Sequence, residues 1–287
     1  METYLQIVAN GLMLGALYAC IAVGFSLVWG VLNVINMLHG SFIVLGGYLT
    51  FFGWQLFGVT PFMMLVVVAV LLFVAGFMIQ YLAINRVVTK PVLTTLPLTF
   101  GLDLILYNAM NLVFEATPRR ITLDLGSLEL GGVILPWDRI LAMLLALAMT
   151  GILYYVLRTS RIGRAIVAVR MDRDAAALMG IRVNKVYAIT FGISAMMAGA
   201  CGALLSMVFP ITTNTTGLLL GKAFTICVIG GLGSVPGALV GGLALGLIES
   251  FSGTWLGAQY AILVGTLLML TLLMVRPTGL IGKRGYE

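Results

Sequence analysis

His39 is the only histidine of the chain and stands in NVINMLHGSF, behind Asn33 and Asn36 and between two apolar runs. An imidazole with amides three and six residues before it has the chemistry to line a hydrated path, to relay a proton or to brace a helix start. Polar side chains among apolar runs are costly unless paired or wet, so they are functional candidates by default. The structural reading stands beside it: a neutral histidine bonded to Asn or to backbone near Gly40, with Ser41 capping the next helix. A lone histidine builds no metal site. Asp103, inside the run 95–114, is a fourth candidate for a polar cavity, whereas Glu249, at the end of the run 235–250, reads as an anchor reaching the interface. Asn33, Asn36, His39 and Asp103 are thus the expected lining of a path.

No other constellation promises catalysis. TTGLLLGKAF around Lys222 looks superficially like a phosphate-binding loop, but that pattern needs Gly, four residues, Gly-Lys and then Ser or Thr. Here Thr216 stands at the first position and Ala223 at the last, so it fails twice. Cys20, Cys201 and Cys227 lie within apolar runs without metal-type spacing, which argues against a disulfide framework or a zinc site. No loop arranges a nucleophile, a base and an orienting acid. The sequence therefore predicts no enzyme and no cofactor in this chain.

The elements that must position these residues are membrane helices. Apolar residues make up 61% and charged residues 9% of the chain, and the mean hydropathy is +1.12, against about 45–50% and about 25% in soluble proteins. From Thr3 to Asn85 there is no Asp, Glu, Lys or Arg, and about 20 apolar residues suffice for a span. The sequence predicts an all-α polytopic bundle of eight to nine spans over 1–287 as one domain. Helices are expected near 5–30, 41–57, 62–84, 95–114, 140–157 and 186–208, with more apolar sequence from 217 to 275. METYLQ has no basic n-region, so the N-terminus is expected to be retained. The net charge of +6 comes from basic residues beside spans, which speaks for membrane orientation and against nucleic acid.

Arg158 to Lys185 carries seven Lys/Arg against two Asp, and Glu115 to Arg139 carries three Arg against four acids. The first is expected in the cytoplasm and the second outside. The tail with Arg276, Lys283 and Arg284 also reads as cytoplasmic, so an even number of crossings must follow Lys185. GGLGSVPG, with Gly230, Gly231, Gly233, Ser234, Pro236 and Gly237, supplies the missing turn. A hairpin is expected over 217–250, its first arm of about 15 residues spanning about 22 Å against a core of about 30 Å. Either that arm is short and adjoins a water-filled route, or its start reaches back to Asn214. Gly11/Gly15, Ala195/Gly199, Ala198/Gly202, Gly237/Gly241 and Gly242/Gly246 are spaced for close helix packing.

The charged island SRIGRAIVAVRMDRDAAALMGIRVNK, Ser160 to Lys185, interrupts this apolar pattern. Asp172 suits the cap of a short helix and Gly180 its stop. Ala175, Ala176, Leu178 and Met179 leave an apolar patch that either docks a partner or lies on lipid.

From Ser160 to Phe191 the sequence resembles the cytoplasmic loop of permease subunits of branched-chain amino acid ABC importers. The resemblance extends to Asn10–Phe42, Gly221–Ser250 and the ending VRPTGLIG, in the family's order over nearly the whole chain. Where the family usually reads Asn-Phe-Ala-His-Gly, this chain has Asn36-Met37-Leu38-His39-Gly40. The resemblance implies a bacterial inner-membrane permease working with a second permease, two cytoplasmic ATPase subunits that bind ATP and Mg, and a periplasmic solute-binding protein. It implies that the segment with Arg170, Asp172, Asp174, Ala176, Leu178, Met179 and Gly180 is a coupling helix. Branched-chain or other hydrophobic amino acids are the expected solutes, with urea, short amides and small carboxylates open alternatives within the same machinery. An ion-coupled carrier is disfavoured by the single well-placed carboxylate, Asp103, and a non-transporting scaffold by the broken spans.

Overall fold

A computed structural model describes residues 1–88, 92–123, 125–276 and 278–281. The chain is an all-α bundle, and among the described residues eight helices are long and apolar enough to cross a membrane. In chain order they are α1 (Glu2–Leu32), α2 (Leu38–Phe57), α3 (Pro61–Leu82), α4 (Val92–Phe114), α5 (Trp137–Thr159), α8 (Val183–Val208), α10 (Val235–Trp255) and α11 (Ala258–Val275). Between α5 and α8 lie two short helices, α6 (Arg161–Met171) and α7 (Arg173–Leu178). The fifteen-residue α9 (Thr216–Gly230) precedes α10.

The helices α1 and α8 form the centre. In each, 89% of the most apolar window is buried, against 11% in α4 and α11, so the outer helices turn apolar faces to lipid. Contact without a hydrophobic drive requires small residues. A Cβ on Gly15 would come within 2.8 Å of the Leu243 Cα in α10, and one on Gly46 of α2 within 2.5 Å of the Gly199 Cα in α8. The expected small-residue pairs are thus where backbones meet.

Two interruptions shape the interior. Asn33 adopts a left-handed conformation, φ 52°, and its N–H closes α1 on the Trp29 carbonyl. The chain then runs back over 33–37 without helix, so that α2 begins beside the middle of α1 and not at its end. A second break, over 209–215 with a single 3-10 turn Thr213–Thr215, precedes α9. The two restarts touch: a Cβ on Gly40 would strike the Thr216 backbone. At 15 residues, α9 is about 22 Å long, short of the roughly 30 Å hydrocarbon core.

The predicted glycine hairpin is present. Gly231 (φ 107°) and Gly233 (φ 76°) turn the chain, and the Ser234 hydroxyl accepts from Gly237 N–H at 3.1 Å to start α10, with Pro236 in its first turn. The C-terminal segment returns to this turn, Leu280 N–H donating to Ile229 O at 2.8 Å and Ile281 N–H to Gly230 O at 3.1 Å. Gly233 also faces Gly30 at the end of α1, with the Arg170 side chain close by. One end of the bundle therefore gathers the ends of α1 and α9, the α6–α7 segment and residues 279–281. Lys283 and Arg284, which helped set the expected parity, lie outside the described residues. At the opposite end the polar segment 115–139 contains a feature absent from the sequence reading, a hairpin of β1 (Ser127–Leu130) and β2 (Val133–Pro136). Its two-residue turn is Gly131-Gly132, both at positive φ, as right-twisted strands require. Gln6 ties it to α1 through the backbone of Ile134, at 2.8 and 3.0 Å.

Candidate functional site

Five polar residues of α4, at 95, 99, 103, 107 and 111, recur at a four-residue spacing that places them on one stripe, with Thr94 and Asn108 beside it. That stripe runs beside both interruptions. Thr99 Oγ1 donates to the Ile35 carbonyl in the first break at 2.9 Å. Asp103 accepts from Ser41, in the first turn of α2, at 2.5 Å. Tyr107 donates to Asn214, within the second break, at 3.0 Å. Broken spans free backbone groups that lipid cannot satisfy, and the α4 stripe supplies part of what they need. Pro97, inside α4, removes one of the helix's own bonds.

The seam reaches both ends of the bundle. Toward α6–α7, Asn33 and Thr95 line a cavity of about 340 Å³ together with Arg170, Arg173 and Tyr187. Toward the β-hairpin end, Arg119 pairs with Ile211 through two backbone bonds of 3.0 and 2.8 Å and lays its guanidinium 5.7 Å from the Phe51 ring centroid. Between them sits Asn36, wholly buried, whose amide nitrogen and oxygen have no hydrogen-bond partner among the described residues. Thr213 Oγ1 and Asn111 Oδ1 share that condition. Buried polar atoms left unpaired cost about 1–3 kcal/mol each, so this cluster makes the seam the candidate site, although Ser26, Gln80 and Thr150 hold unpaired atoms elsewhere.

Of the residues singled out from the sequence, Asn33, Asn36 and Asp103 lie along this seam. The side chain of His39 does not. Its ring is fully buried, with Nε2 donating to the Ile21 carbonyl of α1 at 2.9 Å and Nδ1 facing the Ser194 hydroxyl of α8 at 3.5 Å. Phe25 stands edge-on at 5.5 Å. This geometry fits the structural reading, with an α1 carbonyl as partner in place of Asn or the backbone near Gly40; Ser41 meets Asp103 instead of capping α2, which starts without a side-chain cap. Glu249 differs from its expected role as an interfacial anchor: it is buried and paired with Lys222 at 2.8 Å.

At the α6–α7 end, Ser160 caps α6 by accepting from Gly163 N–H at 2.9 Å. Asp172 caps α7 by accepting from Asp174 and Ala175 N–H, both at 2.9 Å. Gly180, φ 83°, stops it. Asp174 stays at the surface beside Arg173. Ala176 turns inward at 4% exposure, whereas Leu178 and Met179 stand out at 89% and 83%. The apolar patch is therefore a knob of two side chains on a capped, fixed base.

Comparison with known proteins bears on what such a bundle does. Residues 7–275 match the family described as branched-chain amino acid transport system / permease component. The chain is 34% identical to the high-affinity branched-chain amino acid transport system permease protein BraD of Pseudomonas aeruginosa, over 99% of this chain and 97% of that protein. It is 33% identical, with the same coverage, to the corresponding permease protein LivH of Escherichia coli. A protein of Methanocaldococcus jannaschii named as a probable branched-chain amino acid transport permease is 25% identical over 96% of this chain and 92% of its own length. No solved structure matches the chain.

Proposed function

The chain belongs to the family of branched-chain amino acid transport permease components, and from that premise we propose that it forms, with a second permease, the path by which an ATP-driven importer moves branched-chain amino acids into the cell. It is a transport component and no enzyme. The observation that carries the path is the α4 seam, which follows two helix breaks from end to end and holds the unpaired amide of Asn36.

In this reading the whole chain acts as one permease domain in the bacterial inner membrane, with the α6–α7 segment and the C-terminus in the cytoplasm. The seven basic residues of 158–185 support that sidedness. Two ATPase subunits bind ATP and Mg, and one receives Leu178 and Met179 in a groove. A periplasmic binding protein delivers the solute at the end that carries the β-hairpin. The caps at Ser160 and Asp172 make α6–α7 stiff, so that closure of the ATPases moves α5 and α8, which it joins.

The test is reconstitution with these partners and uptake of a labelled panel: leucine, isoleucine and valine against urea, acetamide and a small carboxylate. ATP-dependent uptake of the three amino acids alone supports the proposal; uptake of another panel member in their place contradicts the substrate class.

A further inference from the structure

A second polar cluster lies away from the α4 seam. Lys222 of α9 and Glu249 of α10 form an ion pair of 2.8 Å with side-chain exposures of 14% and 8%. The Tyr18 hydroxyl of α1 donates to the same carboxylate oxygen, Oε2, at 2.6 Å. Lys222 also donates to that hydroxyl and sits 4.3 Å from the ring centroid. Charges inside a bilayer are expensive and stand where a path or ligand needs them. A pair kept for packing alone is poorly motivated, because apolar residues of similar volume serve as well or better.

This pair does not close on itself. It borders a cavity of about 350 Å³, within the range of about 300–1,000 Å³ for small-molecule sites. Met13 and Ile262 contribute apolar wall, and Arg139, near the start of α5, lies on the side of the β-hairpin end. Among the bonds described, Glu249 uses only Oε2, and the ammonium, which has three donors, uses two. An acceptor and a donor of opposite charge thus remain side by side against an apolar wall. Lys222 also adjoins the exposed face of α9 formed by Gly217, Leu218 and Gly221, where a Cβ on either glycine would meet open space.

We propose that this cavity is a binding site for a zwitterionic α-amino acid with an apolar side chain. The ligand's carboxylate lies on Lys222, on the side of Arg139; its ammonium lies on Glu249; its side chain packs on Met13 and Ile262. The three groups then discriminate by chemistry, since solutes lacking either charge leave one buried partner unpaired. The assignment rests on the reading of the chain as an amino acid permease and gives that reading a place of contact.

The test titrates full-length chain, in nanodiscs of phosphatidylglycerol, with labelled L-leucine. Leucinol, which lacks the carboxylate, and isocaproate, which lacks the ammonium, serve as competitors. Expected is saturable binding for which each analogue competes at least about tenfold more weakly than leucine, and which Glu249→Gln abolishes. The exchange Lys222→Glu with Glu249→Lys keeps an ion pair, and with it the packing, but reverses the charges presented to the ligand. A binding role predicts lost leucine binding in a folded exchange variant. Leucine binding by that variant at wild-type strength, or no saturable binding by the wild type, overturns the proposal. So does displacement of leucine by phosphatidylethanolamine in place of the free amino acid, which makes this a lipid headgroup site. Uptake by the complete importer separates the two claims: wild type without branched-chain uptake sinks the transport reading, whereas uptake unchanged in the exchange variant sinks this site alone.

Discussion

Asn36 is buried with no partner for its amide among the described residues, while three residues on His39 is buried with both ring nitrogens engaged. The two make opposite forecasts. Asn36→Leu removes two unpaired polar atoms, each costing about 1–3 kcal/mol where buried, so thermal unfolding of the purified variant should shift upward while uptake falls. A variant that loses stability and keeps uptake would show that Asn36 is a packing residue. The sequence pointed to both residues because polar groups are conspicuous among apolar ones, but it could not say which way each side chain faced. Burial direction depends on the break at 33–37, which turns the ring toward α1 and α8. Lys222 and Glu249 were missed as a pair for a related reason: they are 27 residues apart and meet only through the α9–α10 hairpin.

Helices in this chain were largely legible, because an apolar run free of charge has few alternatives in lipid. What escaped was register between them. The polar residues at 95, 99, 103, 107 and 111 carry a helical stripe that periodicity alone could have found, yet only Asp103, the one charge among them, drew notice. Glycine spacing marked close packing but not partners. A methyl group at Gly46 would meet the Gly199 backbone, whereas one at Gly151 would meet open space. Gly46→Ala should therefore destabilise the bundle by about 1–3 kcal/mol or more, while Gly151→Ala in α5 should raise stability by about 0.5–1 kcal/mol through its helix preference. Thermal unfolding of the two variants in one detergent checks this. Equal shifts would mean that α2 and α8 are not held at backbone contact.

At the scale of the whole molecule the account depends on two ends with different partners. The end that gathers Gly30, Gly233, Arg170 and residues 279–281 is proposed to face the cytoplasm, so a cysteine placed at Ser234, in a chain without its three native cysteines, should react with an impermeant thiol reagent only from that side. Labelling from outside would invert the assembly. The charge island and the glycine turn made the elements of this end legible; the β-hairpin at the other end was not, because its strands are four residues each and hold no long alternating pattern. The most direct test of a permease driven through α6–α7 is Leu178→Asp in the reconstituted importer. Leu178 is 89% exposed, so the bundle should insert and unfold as the wild type does. A charge forced into a closed ATPase groove costs on the order of several kcal/mol. The account predicts that the ATPase subunits no longer co-purify and that ATP-driven leucine uptake is lost. Co-purification and uptake at the wild-type level would contradict it.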